Sequence, residues 1–546
     1  MFFDIISLDF AGINYSPNPK QINMKSTVLT TLFISFLILF SSCEKADQIS
    51  LFDRLQLEEI TVSELQQGYE GGRFTIEEVV EAYLERIDEI DRNGHRLNSI
   101  LTVNTDALQL AAELDRELTE GNRRGVLHGI PVLLKDNIDT VDMPTTAGSR
   151  FMEGSVPLQD AFIVEKLKEQ GAIILGKTNL SEWANFHSSF SSSGWSGLGG
   201  QVKNPYELSR NPCGSSSGSG AAASANLAAI TIGTETNGSI VCPSNANGIV
   251  GMKPTVGLWS RSGIIPISYT TDSAGPMTRT VRDAAILLGA LAGADSEDEL
   301  SVIAADHIHE DYTKFLNAAG IQGKRIGFYT SPIGNHFRVD SLMLQTVRYF
   351  ESAGAEVIHL DRISEENIGG DAFQVLLYEF KDGLDRYFAS LGESASVRTI
   401  EHLAELTRNS PAETERFNRD LIYMAAEKEG LDSEEYQEAL ERMLTQSRER
   451  GIDRVMEEHE LDAIISPTGS PAWKSDPILG DNFSLSSSSP SARAGYPIIS
   501  LPMGNIDGLP VGLSIFGRAW SEPILLEIAY AFEQGNSHRL VPGFLD

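Results

Sequence analysis

Short apolar segments with strand character alternate along the chain with amphipathic segments of helical character. Residues 130–134 and 172–175 are two such apolar runs, and residues 160–170 between them repeat apolar side chains at helical spacing. The same alternation returns at residues 325–360. Strands that alternate with helices pack as a sheet that helices cover on both faces. The pattern therefore predicts an α/β fold, and no linker within it divides the body into separate domains.

An uninterrupted apolar run without charge lies near the N-terminus, at residues 28–40, between a lysine and the sequence Ser-Ser-Cys43. A basic start, a short apolar run and small residues at its end are typical of a secretory signal, and the run is shorter than the about 20 residues that span a bilayer. The cysteine after two small residues resembles a bacterial lipoprotein signal, in which that cysteine carries the lipid. We therefore predict an exported protein of the cell envelope or periplasm, anchored at Cys43. A plain cleaved signal is the alternative.

Changes in composition along the chain set the limits of the predicted segments and of the domain. Residues 1–43 are the predicted N-terminal extension and lipoprotein-type signal peptide, residues 44–57 a tether, and residues 58–540 one large domain. Inside this domain, residues 371–457 are helix-rich and highly charged. The serine-rich residues 486–491 predict a loop at the surface.

Charge and cysteine content exclude several classes of protein. The chain has 43 Lys plus Arg against 76 Asp plus Glu, a formal net charge of −33. Such a chain repels nucleic-acid phosphates, so we predict no nucleic-acid partner, and a membrane contact only through the N-terminal anchor. Three cysteines cannot make a disulfide scaffold, and the sequence has no CxxC, HExxH or P-loop motif. We predict no metal and no cofactor.

Three polar segments interrupt the apolar pattern. Lys135 ends an apolar strand, residues 213–220 (CGSSSGSG) form a Gly/Ser run, and residues 233–240 (GTETNGSI) follow another strand. Taken singly, each has an ordinary explanation, as a surface lysine, a flexible linker or a tight turn. The Gly/Ser run, however, is flanked by sequence that can pack, and it opens a helix whose N-terminal amides favour developing negative charge. Both facts argue against a plain linker.

Together these segments resemble the amidase signature family. The glycine/serine signature of that family corresponds here to CGSSSGSGAAASA followed by GTETNGSIVCPS, and its lysine segment corresponds to GIPVLLKDNID. The interval between Ser215 and Ser239 also fits the spacing of the family. Further stretches agree, among them GKTNLSEWANF and DSAGPMTRTVRDAA, and the resemblance covers roughly residues 58–535. It implies a single large amidase-signature domain with a mixed β-sheet covered by helices on both faces.

The resemblance also implies a catalytic triad. Ser239 corresponds to the nucleophile, Ser215 to the serine that relays a proton, and Lys135 to the base. The family holds the relay serine through a cis peptide bond. A serine hydroxyl needs a base at neutral pH, and a lysine must be neutral to accept a proton. Because burial disfavours a charged amine, we expect the apolar strand to lower the pKa of Lys135.

The turn that precedes the nucleophile is expected to stabilise the oxyanion. The backbone N–H groups of Thr236, Asn237, Gly238 and Ser239 are the implied donors, and the Gly-Ser pair permits the tight turn that they need. The implied reaction is attack by Ser239 on the amide carbon, proton transfer to the leaving amine, and hydrolysis of the acyl-enzyme by water.

Within the family, TETNGSIVCP, CGSSSGSG and SEWANF are most similar to the bacterial peptide amidase branch, which removes the C-terminal amide of peptides and releases ammonia. Asn237 stands where that branch more often has Asp, and this departure bears on specificity rather than on the chemistry. The expected partner is a small amide or an amidated peptide. A general aliphatic, aryl or amino-acid amidase is the alternative.

Two other functions compete with the peptide amidase and the general amidase. A glutamine-hydrolysing subunit of a tRNA-dependent amidotransferase belongs to the same family, but the export signal and the acidic charge argue against it. A non-catalytic binding lipoprotein would be expected to lose Lys135 or one of the two serines, and none is lost.

Cys213 and Cys242 lie beside the two implied catalytic serines. Since those serines must meet, the two sulfur atoms are expected to lie close together, and an exported protein could oxidise such a pair. A disulfide between them is a hypothesis that geometry decides.

Overall fold

The computed structural model describes residues 49–393 and 395–546, and Leu51–Asp546 form one compact unit. Within the described residues, eleven strands form one sheet and two more form a short hairpin. The strands are β1 (Ile100–Val103), β2 (Pro131–Lys135), β3 (Ile173–Thr178), β4 (Trp195–Ser196), β5 (Gly200–Gln201), β6 (Ile230–Glu235), β7 (Val250–Lys253), β8 (Ser273–Thr278), β9 (Arg325–Tyr329), β10 (Glu356–Leu360), β11 (Ala463–Pro467), β12 (Ile498–Ile506) and β13 (Leu509–Phe516).

The large sheet is mixed. Its strand order is β1-β3-β2-β6-β8-β7-β12-β13-β11-β9-β10. Strands β3, β2 and β6 are parallel to one another, as are β11, β9 and β10, and the other neighbouring pairs are antiparallel. This arrangement confirms the mixed α/β fold predicted from the sequence.

Helices account for much of the rest of the described chain. They are α1 (Leu51–Leu55), α2 (Val62–Glu70), α3 (Ile76–Arg86), α4 (Ala107–Thr119), α5 (Phe162–Glu169), α6 (Ser217–Ser224), α7 (Val241–Ala246), α8 (Val281–Leu291), α9 (Glu299–Ile303), α10 (Phe337–Ser352), α11 (Gly369–Ser390), α12 (Ile400–Arg408), α13 (Pro411–Thr414), α14 (Asp420–Ala426), α15 (Glu434–Ser447), α16 (Asp453–Glu458), α17 (Ser489–Ala494) and α18 (Glu522–Gly535). In this described part, no helix combines the length and the apolar character that a bilayer crossing requires.

The centre of the sheet is buried on both sides. Every residue of β2, β3 and β6 is buried. Since successive side chains of a strand point to opposite faces, this burial requires that both faces are covered. Helix α6 packs against all three strands. Polar groups at the carboxyl ends of these strands are therefore held in rigid surroundings with little access to water.

Helices α11 to α15 form a second region, called the helical region below, where the sequence predicted helices. Three of them, α11, α12 and α14, share an apolar cluster with Trp183 and Phe186. These two aromatic residues lie in the segment that follows β3. The contact therefore holds the helical region against the part of the chain that leaves the centre of the sheet.

The limits of the compact unit differ from the sequence prediction at both ends. Helix α1 lies inside the predicted tether, and the buried side chains of Phe52 and Leu57 place this segment in the compact unit. Beyond residue 540, the backbone N–H of Leu545 still donates to the carbonyl oxygen of Tyr206 at 3.2 Å. Apolar contacts and backbone hydrogen bonds thus extend the unit in both directions. The predicted signal and its Cys43 lie outside the described residues.

The prediction of a surface loop at residues 486–491 is wrong for its second half. Helix α17 begins at Ser489, and the side chains of Ser488 and Ser491 are buried. Burial is possible because the hydroxyl groups find partners: Ser491 Oγ donates to Ser488 O at 3.0 Å, and Ser488 Oγ donates to Asn237 Oδ1 at 2.7 Å.

Candidate active site

Lys135 is the last residue of β2 and is completely buried. Its ammonium nitrogen lies 2.7 Å from Ser215 Oγ, 2.8 Å from Thr234 Oγ1 and 3.1 Å from Thr234 O. Thr234 stands on the neighbouring parallel strand β6, so sheet pairing itself brings it beside the lysine. The amine therefore has three partners, and all of them are uncharged.

Burial is the largest influence on the pKa of Lys135 and lowers it to about 7, while the carboxylates of Asp272 and Glu235 act in the opposite direction. A substantial fraction of this lysine is therefore neutral at neutral pH, as the sequence led us to expect. The carboxylate of Asp272 is held by the Thr236 hydroxyl at 2.6 Å and by the backbone N–H groups of Ile267 and Ser268.

Ser215 lies in the loop between Cys213 and α6. The Gly214–Ser215 peptide bond is cis, and Ser215 O accepts a hydrogen bond from the backbone N–H of Ser181 at 3.0 Å. A Cβ atom on Gly214 would lie 2.2 Å from Ser181 Oγ, so only glycine fits there. The Gly/Ser run is consequently a close-packed loop that aims one hydroxyl at Lys135.

Ser239 lies in the turn between β6 and α7. Glu235 fixes this turn, because its Oε2 accepts from the backbone N–H of Ile240 at 2.8 Å and of Val241 at 3.0 Å. Ser239 O accepts from the backbone N–H of Ser216 at 3.1 Å, which joins the turn directly to the loop of Ser215. The structure therefore brings Lys135 and Ser215 into contact and places the turn of Ser239 beside the loop of Ser215.

The same turn exposes backbone donors. Within residues 49–393 and 395–546, the N–H groups of Asn237, Gly238 and Ser239 have no hydrogen-bond acceptor. Gly238 has φ +86°, a conformation that favours glycine. Donors held in a rigid turn without a protein acceptor are available to a ligand oxygen.

Two cavities adjoin this turn, and Thr236 lines both. The larger has a volume of about 370 Å³ and is bordered by Asn137, Thr234 and Asp272 on the side of Lys135. The smaller, of about 190 Å³, is bordered by Asn237 and by the helical region. A substrate can thus approach the turn between the sheet and the helical region.

Cys213 and Cys242 form a disulfide with their Cα atoms 5.9 Å apart. The bond joins the start of the Ser215 loop to the helix that follows Ser239. It has the pairing that the positions of the two serines led us to hypothesise.

Sequence reasoning missed several polar neighbours of the site. Thr234 and Asn137 share a hydrogen bond of 3.0 Å between Asn137 Nδ2 and Thr234 Oγ1, and both lie inside segments already quoted, GTETNGSI and GIPVLLKDNID. Their place in those segments was the available signal. Asp272 begins the quoted stretch DSAGPMTRTVRDAA and Ser488 lies in the serine-rich residues 486–491, but neither stretch indicated a place beside the site.

The fold and this cluster define the class of the protein as an amide hydrolase, and comparison with known proteins agrees. The family model Amidase matches residues 78–526. The X-ray structure of native peptide amidase from Stenotrophomonas maltophilia is 45% identical with a TM-score of 0.86, and the match covers 90% of this chain and 99% of that one. A probable amidase of Arabidopsis thaliana is 40% identical over 93% of this chain and 96% of its own length.

A third relative is named as part of an amidotransferase and not as an amidase. This glutamyl-tRNA(Gln) amidotransferase component of Thermoanaerobacter pseudethanolicus is 35% identical over 89% of this chain and 99% of its own length. Since the family model covers most of the chain, the protein belongs to the amidase family, the amidase signature family that the sequence motifs indicated.

Proposed function

We propose that the protein is a serine-dependent peptide amidase that hydrolyses the C-terminal carboxamide of peptides and releases ammonia. The observation that carries the proposal is the buried, uncharged surroundings of Lys135, whose pKa falls to about 7 and whose nitrogen contacts Ser215 Oγ at 2.7 Å. A neutral amine that is hydrogen-bonded to a hydroxyl can act as a base and accept the proton of that hydroxyl.

In the proposed first step, Ser239 Oγ attacks the carbonyl carbon of the amide. Its proton passes to Ser215, and the proton of Ser215 passes to the neutral Lys135. The oxygen of the tetrahedral intermediate accepts hydrogen bonds from the turn of Thr236, Asn237, Gly238 and Ser239, among which the last three N–H groups have no acceptor in the described protein.

In the second step, the protonated lysine returns its proton through Ser215 to the leaving nitrogen. The C–N bond breaks, ammonia departs, and Ser239 is left as an ester. Water then attacks that ester while the same relay takes up its proton, and the free acid and the serine are regenerated. The side chains of Lys135, Ser215 and Ser239 carry every proton that is transferred, so the proposed reaction needs no further proton donor or acceptor.

The choice of peptide amides is supported by similarity. The peptide amidase of S. maltophilia shares 45% identity and nearly its whole length with this chain. The cavities on both sides of Thr236 give a peptide room to lie between the sheet and the helical region. A general aliphatic, aryl or amino-acid amidase would use the same catalytic groups on a different acyl group.

The test measures ammonia release by the purified protein from an amidated peptide, an amino-acid amide, a fatty amide and glutamine. We expect release from the amidated peptide, and its loss in Ser239→Ala. Ser244→Ala is the matched control, because Ser244 is buried nearby but its hydroxyl donates to Ile240 O at 2.8 Å within its own helix. Added hydroxylamine should divert the acyl-enzyme to a hydroxamate.

The outcomes separate the candidates. Release from only one of the other three compounds would change the proposed substrate class and leave the proposed mechanism as it is. Glutamine as the sole substrate would favour a role in a tRNA-dependent amidotransferase, which the 35% identity of the T. pseudethanolicus protein keeps as the second candidate. A folded protein that releases ammonia from none of the four would favour a binding function.

The proposal places the enzyme outside the cytoplasm, attached by lipid at Cys43. The supporting observations are the apolar run that precedes Cys43 in the sequence and the Cys213–Cys242 disulfide, since disulfides persist in oxidising compartments. Labelled fatty acid should enter the wild-type protein in a bacterial host and not Cys43→Ser. Equal labelling, or a wild-type protein found in the cytoplasm, would contradict this location.

A further inference from the structure

Arg493 stands near the end of α17 with its guanidinium partly enclosed by protein. Within the described residues, this side chain takes part in no ion pair and no hydrogen bond, and its Nε is buried without a partner. The completely buried Arg419, in contrast, has a carboxylate oxygen of Glu413 2.9 Å from its guanidinium. An enclosed cation without a counter-ion is costly, and a ligand that supplies one removes the cost.

Arg493 lines the smaller of the two cavities beside the turn, about 190 Å³ in volume. Its other walls are mainly apolar side chains of the helical region, namely Ala372, Phe373, Leu376 and Met443. The lining also includes Thr236 and Asn237, two of the residues that form the turn before Ser239. The cavity is therefore bordered by the turn of the proposed oxyanion donors, by an apolar wall and by a positive charge.

Helix α17 is fixed to that turn. Ser488 Oγ donates to Asn237 Oδ1 at 2.7 Å, and Asn237 Nδ2 donates to Ser489 Oγ at 3.2 Å. Ser489 and Arg493 are four residues apart on one helix, so they share a face with about 5–6 Å between their Cβ atoms. The Cβ atom of Arg493 is thus about one helical turn from Ser489, whose hydroxyl contacts the turn that carries the nucleophile, and one amino-acid side chain can span that distance.

We propose that Arg493 binds a carboxylate on the acyl residue of the substrate, so that the enzyme prefers peptides whose amidated C-terminal residue is glutamate. The inference rests on the proposed function and adds its substrate class. Guanidinium and carboxylate pair through two parallel hydrogen bonds, which gives both charge neutralisation and orientation. The methylene groups of a glutamate side chain match the apolar walls, whereas a lysine side chain would bring a second cation to Arg493.

The experiment compares three acetylated peptide amides that differ only in their C-terminal residue, glutamate, leucine or lysine. For the wild type we expect kcat/KM to fall in that order. Arg493→Met should lower kcat/KM for the glutamate peptide by about 10- to 100-fold, mainly through KM, because a hydrogen-bonded charge pair is lost. It should leave the leucine peptide unchanged, and Arg493→Lys should keep part of the preference.

Arg442→Met is the matched control. It removes the same charge from α15, one residue before the cavity wall at Met443, but Arg442 already pairs with Glu366 at 3.3 Å. Its kinetic constants should equal those of the wild type for all three peptides. An equal loss on all three peptides in Arg493→Met, or no preference for glutamate in the wild type, would overturn the inference while hydrolysis of the leucine peptide upheld the amidase function. Failure to hydrolyse any of the three would overturn both.

Discussion

Two neighbouring parallel strands each hold a buried lysine at their carboxyl ends, and the two lysines have opposite surroundings. Lys135 on β2 contacts only hydroxyl and carbonyl oxygens, whereas Lys177 on β3 has the carboxylate of Asp136 at 3.6 Å and a hydrogen bond of 2.9 Å to Thr145 Oγ1. Burial lowers the pKa of both, and carboxylates oppose this effect at both, Asp272 and Glu235 at Lys135 and Asp136 and Asp139 at Lys177. Of the two lysines, only Lys177 has a carboxylate oxygen within ion-pair distance among the described residues.

The difference separates a base from a structural cation. Burial alone does not make a lysine catalytic, because a carboxylate beside it stabilises the charged form. Lys177 has such carboxylates close by, and Lys135 has an uncharged hydroxyl network that leads to Ser215. The lysine that lacks an acidic contact is therefore the one that can accept a proton.

Replacement of Lys135 is expected to have the largest effect on catalysis. Lys135→Met keeps the volume and removes the base, so kcat/KM for the amidated peptide should fall by at least about 10⁴-fold. Thermal unfolding should change little, since an uncharged side chain suits this site. A variant that retained a tenth of the activity would remove Lys135 from the proposed mechanism.

Lys177→Met is expected to give the converse result. It leaves the buried carboxyl of Asp136 without its cation, which costs about 3–5 kcal/mol of stability. The midpoint of thermal unfolding should drop clearly, while the fraction that stays folded keeps kcat/KM within a few-fold of the wild type. Unchanged stability would show that the ion pair between Lys177 and Asp136 does not stabilise the fold, and that Lys177 does not differ from Lys135 in this respect.

The pH dependence should reveal the lowered pKa directly. Because only neutral Lys135 accepts a proton, kcat/KM should rise about tenfold per pH unit below pH 7 and level off above its pKa of about 7. Asp272 favours the charged lysine, so Asp272→Asn should move the rising limb to lower pH. A limb that stayed in place, or moved upward, would contradict the proposed electrostatics.

The smallest expected effect concerns the hydroxyl that both Lys135 and Asn137 contact. Thr234→Val keeps the shape and removes hydrogen bonds of 2.8 Å and 3.0 Å. The loss of about 1 kcal/mol corresponds to about fivefold in kcat/KM. Steady-state kinetics on one peptide amide suffice, and no change would mean that Ser215 and the carbonyl oxygen at position 234 are enough to orient the lysine.

Sequence patterns located the centre of the sheet well. Residues 130–134 and 172–175 were predicted as strands and appear in β2 and β3, because runs of buried apolar residues have few alternatives. The positions of Lys135, Ser215 and Ser239 came from motif resemblance, and local sequence alone would have left each with an ordinary explanation.

What the sequence could not show depends on distant parts of the chain. Lys135 and Thr234 are 99 residues apart and meet only because β2 and β6 pair. Ser488 looks like part of a solvent-exposed loop until Asn237, 251 residues earlier in the chain, provides the hydrogen-bond acceptor that lets its hydroxyl be buried. Local pattern does not encode such partners, so the polar neighbours of the site and the position of Arg493 emerged only from the fold.

The disulfide closes a covalent ring around the site. Cys213 and Cys242, separated by 29 positions, close a ring of main chain that contains Ser215, Thr234 and Ser239. One protease cut inside this ring, such as a cut after Glu235, leaves the two pieces connected, so a digest of the unreduced protein yields the two serines in cross-linked fragments. An acyl group trapped on Ser239 can therefore be assigned by mass spectrometry in two steps. The unreduced digest shows that the ring is modified, and reduction then separates the peptide of Ser239 from the peptide of Ser215.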